Sequence, residues 1–150
     1  MENPIIPKGE FKMIQKILVA FDGSKEAERA FQFALEIASP FNASMVVLSV
    51  ARPPEPPSMV ETAALLESAT EHFEAKFKDL RSQAETKQIA LETLVAAGHP
   101  AEQIVHQAVE MQADLIVMGH RGKSMVQRWL LGSVSKRVLS YAPCSVTIVR

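Results

Sequence analysis

The run Leu115-Ile116-Val117-Met118-Gly119-His120-Arg121-Gly122, followed after nine intervening residues by Gly132-Ser133-Val134-Ser135, decides how the rest of the chain is read. Four consecutive apolar residues, two of them β-branched, predict a buried strand; Gly119 and Gly122 predict a turn, and Ser133 the start of a helix. A strand that passes through glycines into a helix N-terminus gathers unpaired main-chain N–H groups at one point, which suits an anion. The charges agree. Residues 115–150 hold Arg121, Lys123, Arg128, Lys136, Arg137 and Arg150 and no acid, so all 17 Asp and Glu lie in residues 1–114. The combination predicts a phosphate cradle.

Two familiar cradles do not fit the spacing. Gly122-Lys123-Ser124 has the look of the second half of a P-loop, but that motif needs a glycine at position 117, which is Val117. The dinucleotide fingerprint needs three glycines close together, whereas nine residues separate Gly122 from Gly132.

The 150 residues, 47% apolar and with a net charge of -1, describe one ordinary globular domain rather than a nucleic-acid or membrane binder. The first dozen residues, with Pro4, Pro7 and Gly9, lack the apolar core of a signal peptide. We read residues 1–13 as a flexible N-terminal extension, residues 14–150 as a single domain, and the protein as cytoplasmic. The single Cys144 excludes an internal disulfide and reads as a small buried hydrophobe.

Along the chain, Lys16 to Phe21 is an apolar run suited to a central parallel strand, and it ends at Asp22-Gly23-Ser24. Ser24 caps a helix whose apolar face is Ala27, Ala30, Phe31, Ala34, Leu35 and Ala38, and Pro40 is expected to stop it. Ala43 to Val50 is the second strand. A proline-rich loop leads to Ser58-x-x-Glu61, a capping box, and to a long helix over residues 59–86. Ile89 to Ala96, with its looser alternation, predicts a strand at a partly exposed edge; Gly98-His99-Pro100 turns the chain into a helix reaching about Met111. Asp114 to Met118, Gly132 to Tyr141 and Ser145 to Val149 complete a βαβαβαβαβ order. Right-handed crossovers then give an α/β fold, a doubly wound five-stranded parallel sheet of order 3-2-1-4-5. That order brings Asp22 opposite Gly119 at the switch point, where open sheets bind ligands. His72, His99 and His106 read as surface residues without metal-ligand spacing.

From about Gln15 to Arg150 the chain resembles the universal stress protein family: the first strand ending in Asp22, the long middle helix, Gly98-x-Pro100, and the terminal Gly-x2-Gly-x9-Gly-Ser of its ATP-binding type. The resemblance implies that Ala20, Phe21, Asp22 and Val50 enclose adenine and ribose, with Met118 near the base. It assigns the phosphates to Gly119, Gly122, Gly132, Ser133, Val134 and Ser135. Phe21 departs from the small polar residue often found there. His120 and Arg121, inside the loop, add donors to phosphate. The implied ligand is ATP or AMP, with Mg2+ held indirectly through Asp22, and the implied role is a stress-response regulatory module. The alternative is a slow ATPase or phosphotransfer enzyme using His120. The family also implies a homodimer through the last strand, 145–149, whose apolar edge no later helix covers. Neither nucleic acid nor membrane is expected as a partner.

Overall fold

The computed structural model describes residues 13–121 and 130–150. Five strands alternate with four helices: β1 (Lys16–Ala20), α1 (Lys25–Phe41), β2 (Ser44–Ala51), α2 (Met59–Thr86), β3 (Leu91–Ala97), α3 (Pro100–Glu110), β4 (Leu115–Gly119), α4 (Ser133–Tyr141) and β5 (Ser145–Val149). All pair in parallel, in the order β3-β2-β1-β4-β5, as the alternation predicts. The N-terminal extension up to residue 12 lies outside the described residues.

Each central strand buries both faces, which is why it reads as an unbroken apolar run. In β1, Ile17 and Val19 point into a core beneath α1 and α2 with Phe31, Leu35, Phe77 and Leu80. Leu18 points the other way, into a core with Ile104, Ala108, Met118 and Val138 beneath α3 and α4. β3 stands at one edge of the sheet and is half-buried throughout apart from the exposed Glu92.

The helix starts follow the caps read from the sequence. The Ser24 hydroxyl accepts from the N–H of Ala27, and that of Ser58 from the N–H of Glu61. The Ser58 box closes differently from the usual one, its hydroxyl donating to the Glu61 carboxylate at 2.6 Å.

The helix ends hold one correction. Pro40 does not stop α1; it lies inside the last turn, and the helix runs on to Phe41. A proline in the final turn forfeits only one N–H, and the terminator is Asn42, left-handed at φ 52°. Its N–H reaches Ser39 O, and that of Ala43 reaches Ala38 O. The same pair of bonds closes α2 at Gln88 and Ile89, and α3 at Gln112 and Ala113, with φ 58° and 53° at the two glutamines. In each case an apolar residue is buried directly after the left-handed one, Ala43, Ile89 or Ala113, and leads the chain toward the next strand.

Candidate nucleotide site

The parallel order opens a crevice where α1 and α4 leave the sheet on opposite faces, from the ends of the neighbouring strands β1 and β4. A cavity of about 500 Å³ occupies it. Its floor is apolar, formed by Ala20, Leu48, Val50, Ile104 and Met118, and among the described residues its rim carries Arg52, Arg121 and Lys136 against one acid, Asp22. Three cations to one carboxylate favour an anionic ligand with an apolar body.

The wall that meets the anion is the start of α4. The first intrahelical bond runs from Lys136 N–H to Gly132 O, and Gly132 has no side chain with which to cap the turn. The N–H groups of Ser133, Val134 and Ser135 therefore begin the helix without a side-chain cap, beside the positive end of its dipole. Ser135 is buried, and its hydroxyl donates to Gly119 O at 3.1 Å, which fixes α4 against the end of β4.

Neither of the two described glycines of the signature is needed for its conformational freedom. Neither Gly119 nor Gly132 has positive φ; Gly132 sits at φ -61°. A Cβ on Gly119 would lie 2.8 Å from Glu26 Cβ, so this glycine lets the first turn of α1 pack onto β4. A Cβ on Gly132 would lie 3.3 Å from His120 O and 3.5 Å from Arg121 Cα. Gly132 also donates its own N–H to His120 O at 3.0 Å, so that group is spent inside the protein and is not free for a phosphate.

Asp22 accepts from the Ser24 N–H at 2.9 Å, a turn-forming bond, and also lines the cavity. Phe21 joins the cavity wall while its ring belongs to the core beneath α1 and α2. Its main chain is fixed by the bond to Leu48 O and by the buried Ser49 hydroxyl, which donates to Phe21 O at 2.6 Å. The bulk that departs from the family pattern is thus absorbed by the core.

Of the residues singled out in the sequence, Ala20, Phe21, Asp22, Val50, Met118, Gly119, Arg121, Gly132, Ser133, Val134 and Ser135 all line this one cavity. Gly122 lies outside the described residues. His120 does not line the cavity: it is 6% exposed, and its Nε2 is buried without a hydrogen-bond partner among the described residues. Arg52, Pro100, Ile104 and Lys136 were missed as site residues. The signal for Arg52 is its place directly after β2, a strand whose end faces the crevice; the prolines that follow it mask that place in the sequence.

Residues 13–150 match the family described as universal stress protein. The chain belongs to the universal stress protein family. A universal stress protein of Methanocaldococcus jannaschii is 34% identical over 99% of this chain and 88% of its own length. The solved structure of the universal stress protein UspA from Lactobacillus plantarum superposes with a TM-score of 0.77 at 26% identity, covering 93% of this chain and all of the other. A further universal stress protein, solved in complex with cAMP, gives a TM-score of 0.73 at 27% identity over 93% of this chain and 99% of its own. Among the described residues of this family member no helix is long and apolar enough to cross a membrane, and no group of three or more His, Cys, Asp or Glu is placed to hold a metal.

Proposed function

We propose that this universal stress protein binds an adenine nucleotide, ATP or AMP, in the crevice between β1 and β4 and acts as a regulatory module rather than as an enzyme. The observation that carries the reading is the start of α4. Three N–H groups without a side-chain cap, on a helix whose cap residue has no side chain, face a cavity rimmed by Arg52, Arg121 and Lys136. The base then occupies the apolar floor over Val50 and Met118, and the phosphates lie against Ser133 and Val134. The related protein solved with cAMP supports an adenine ligand. Asp22, the one acid of the wall among the described residues, would hold Mg2+ toward the phosphates, since a carboxylate facing an anion needs a cation between them. Hydrolysis would need a base at the γ-phosphate, and His120, outside the cavity lining, does not offer one.

Calorimetric titration with ATP and AMP, with and without Mg2+, tests this. Binding of either nucleotide is expected, with Mg2+ strengthening ATP more than AMP. No heat and no melting shift at millimolar ATP and AMP would remove the nucleotide reading. Retention of the full Mg2+ effect in Asp22→Ala would remove only the role of Asp22.

A further inference from the structure

The three cations on the rim of the cavity do not stand together. Lys136 is on α4 itself, and Arg121 lies against its start, with Cγ 3.9 Å from where a Cβ on Gly132 would be. Arg52 comes from the end of β2, and β1 lies between β2 and β4. Two strand spacings put the end of β2 about 10 Å from that of β4, so Arg52 is rooted across the crevice from the helix start.

The strand register sets which way Arg52 faces. Leu48 and Val50 pack in the core beneath α3 and α4 and form part of the cavity floor. At a period of two, Arg52 is the next residue on that face, and it lines the cavity with Pro100 and Ile104 of α3. The chain is held on both sides of it. Gly98 N–H donates to Ala51 O at 2.9 Å, and Glu55 Oε1 lies 3.5 Å from His99 Nε2, so the segment leaving β2 runs along the Gly98-His99-Pro100 turn. Pro53 and Pro54 directly follow Arg52 and fix φ at their own positions. Arg52 itself is exposed, and among the described residues its guanidinium has neither a hydrogen bond nor an ion pair.

A base lying on the floor has one face against aliphatic side chains and the other open. The large flat side chains among the described lining residues are Phe21, Arg121 and Arg52. The Phe21 ring belongs to the core on the other face of the sheet, and Arg121 stands at the start of α4. Arg52 remains, rooted two residues beyond Val50 on the face that carries the floor. A guanidinium is planar and more weakly hydrated than an ammonium, and it stacks on aromatic rings.

We propose that Arg52 covers the open face of the purine, its guanidinium stacked on the ring above Leu48, Val50 and Met118, and so grips the nucleoside rather than the phosphates. The proposal rests on the nucleotide reading of this cavity. Such a contact depends on the plane of the guanidinium as well as on its charge, and it does not grow with the number of phosphates.

Calorimetric titration of Arg52→Ala and Arg52→Lys with AMP and with ATP tests it, beside a circular dichroism melt of each variant. Folding is retained, because the side chain is exposed and holds no other residue in place. Arg52→Ala is expected to weaken AMP and ATP by the same factor, about tenfold. Arg52→Lys keeps the charge and loses the plane, and is expected to weaken both nearly as much. Unequal losses for the two nucleotides, or wild-type affinity in Arg52→Lys, would overturn the proposal and make Arg52 a charge contact to phosphate. Wild-type affinity in Arg52→Ala would overturn it by placing the side chain away from the ligand. A wild-type protein that binds neither nucleotide fails earlier, at the nucleotide reading itself, and removes both.

Discussion

Gly119 and Gly132 are glycines because backbone approaches backbone there. Gly119→Ala would drive a methyl group into Glu26 Cβ at 2.8 Å, with the Glu26 carbonyl carbon at 3.0 Å, and neither atom is the end of a flexible side chain. We expect about 1–3 kcal/mol of lost stability, read from the urea midpoint, and weaker nucleotide binding as α1 is displaced from the crevice. Gly132→Val acts through the chain at His120 and Arg121. Stability and affinity should therefore fall together, by about 1–2 kcal/mol in the melt and about thirtyfold for ATP in calorimetry. Affinity lost at wild-type stability would show instead that the valine meets the ligand itself. Ser135→Ala leaves the Gly119 carbonyl without its hydroxyl donor and should cost about 1 kcal/mol. At Cys144, burial pushes the thiol pKa up, and the charge of Asp114 adds to the effect. A raised thiol pKa means less thiolate at neutral pH, so alkylation of the native protein should be slower than that of the denatured chain at the same pH.

The ends of α1, α2 and α3 share one device, a left-handed residue that carries a side chain where a glycine would do the same at lower backbone cost. Gln112→Gly should raise the urea midpoint by an amount equivalent to about 0.5–1 kcal/mol, since a non-glycine residue at φ 53° carries a steric penalty that glycine lacks. No gain would mean that the Gln112 side chain contributes as much as its backbone costs. These ends explain where the sequence was legible and where it was not. The apolar runs at residues 16–21 and 115–118 announced buried parallel strands, because a strand covered on both faces has no polar side to show. Asn42 is a residue type that enters the left-handed region readily and so marked its helix end; Gln88 and Gln112 announced nothing, because their conformation is imposed by the buried Ile89 and Ala113 that follow, and no local preference of Gln encodes it. Pro40 misled for the same reason, the tertiary anchor after the helix outweighing a single missing N–H. At the site, the spacing of Gly119, Gly132 and Ser133 located the crevice, but the burial of His120 and the arrival of Arg52 depend on how separate elements pack, which spacing does not carry.

At the scale of the molecule, the outer edge of β5 is the feature with most consequence for assembly. Val149 O accepts from His120 N–H, so the main-chain groups of Val149 face β4 and, at a period of two, those of Val146 and Ile148 face outward. We propose that this edge pairs with its copy in a homodimer. Val146→Pro or Ile148→Pro removes an outward N–H and leaves the β4 ladder intact, so the variants should stay folded and lose this pairing in sedimentation. An unchanged sedimentation profile would exclude the edge. The strand order has a further outcome in time. β1, the central strand, takes β2 as one neighbour from nearby sequence, but its other neighbour is β4, with Ile17 paired to Leu115. During synthesis β1, β2 and β3 can pair early, while the second edge of β1 waits for the last quarter of the chain to leave the ribosome. Until then Ile17, Leu18 and Val19 lie along an open strand edge, the interval in which a nascent chain is most exposed to wrong pairing. The crevice forms only when that edge closes, so no ligand can assist folding before the final strands are made.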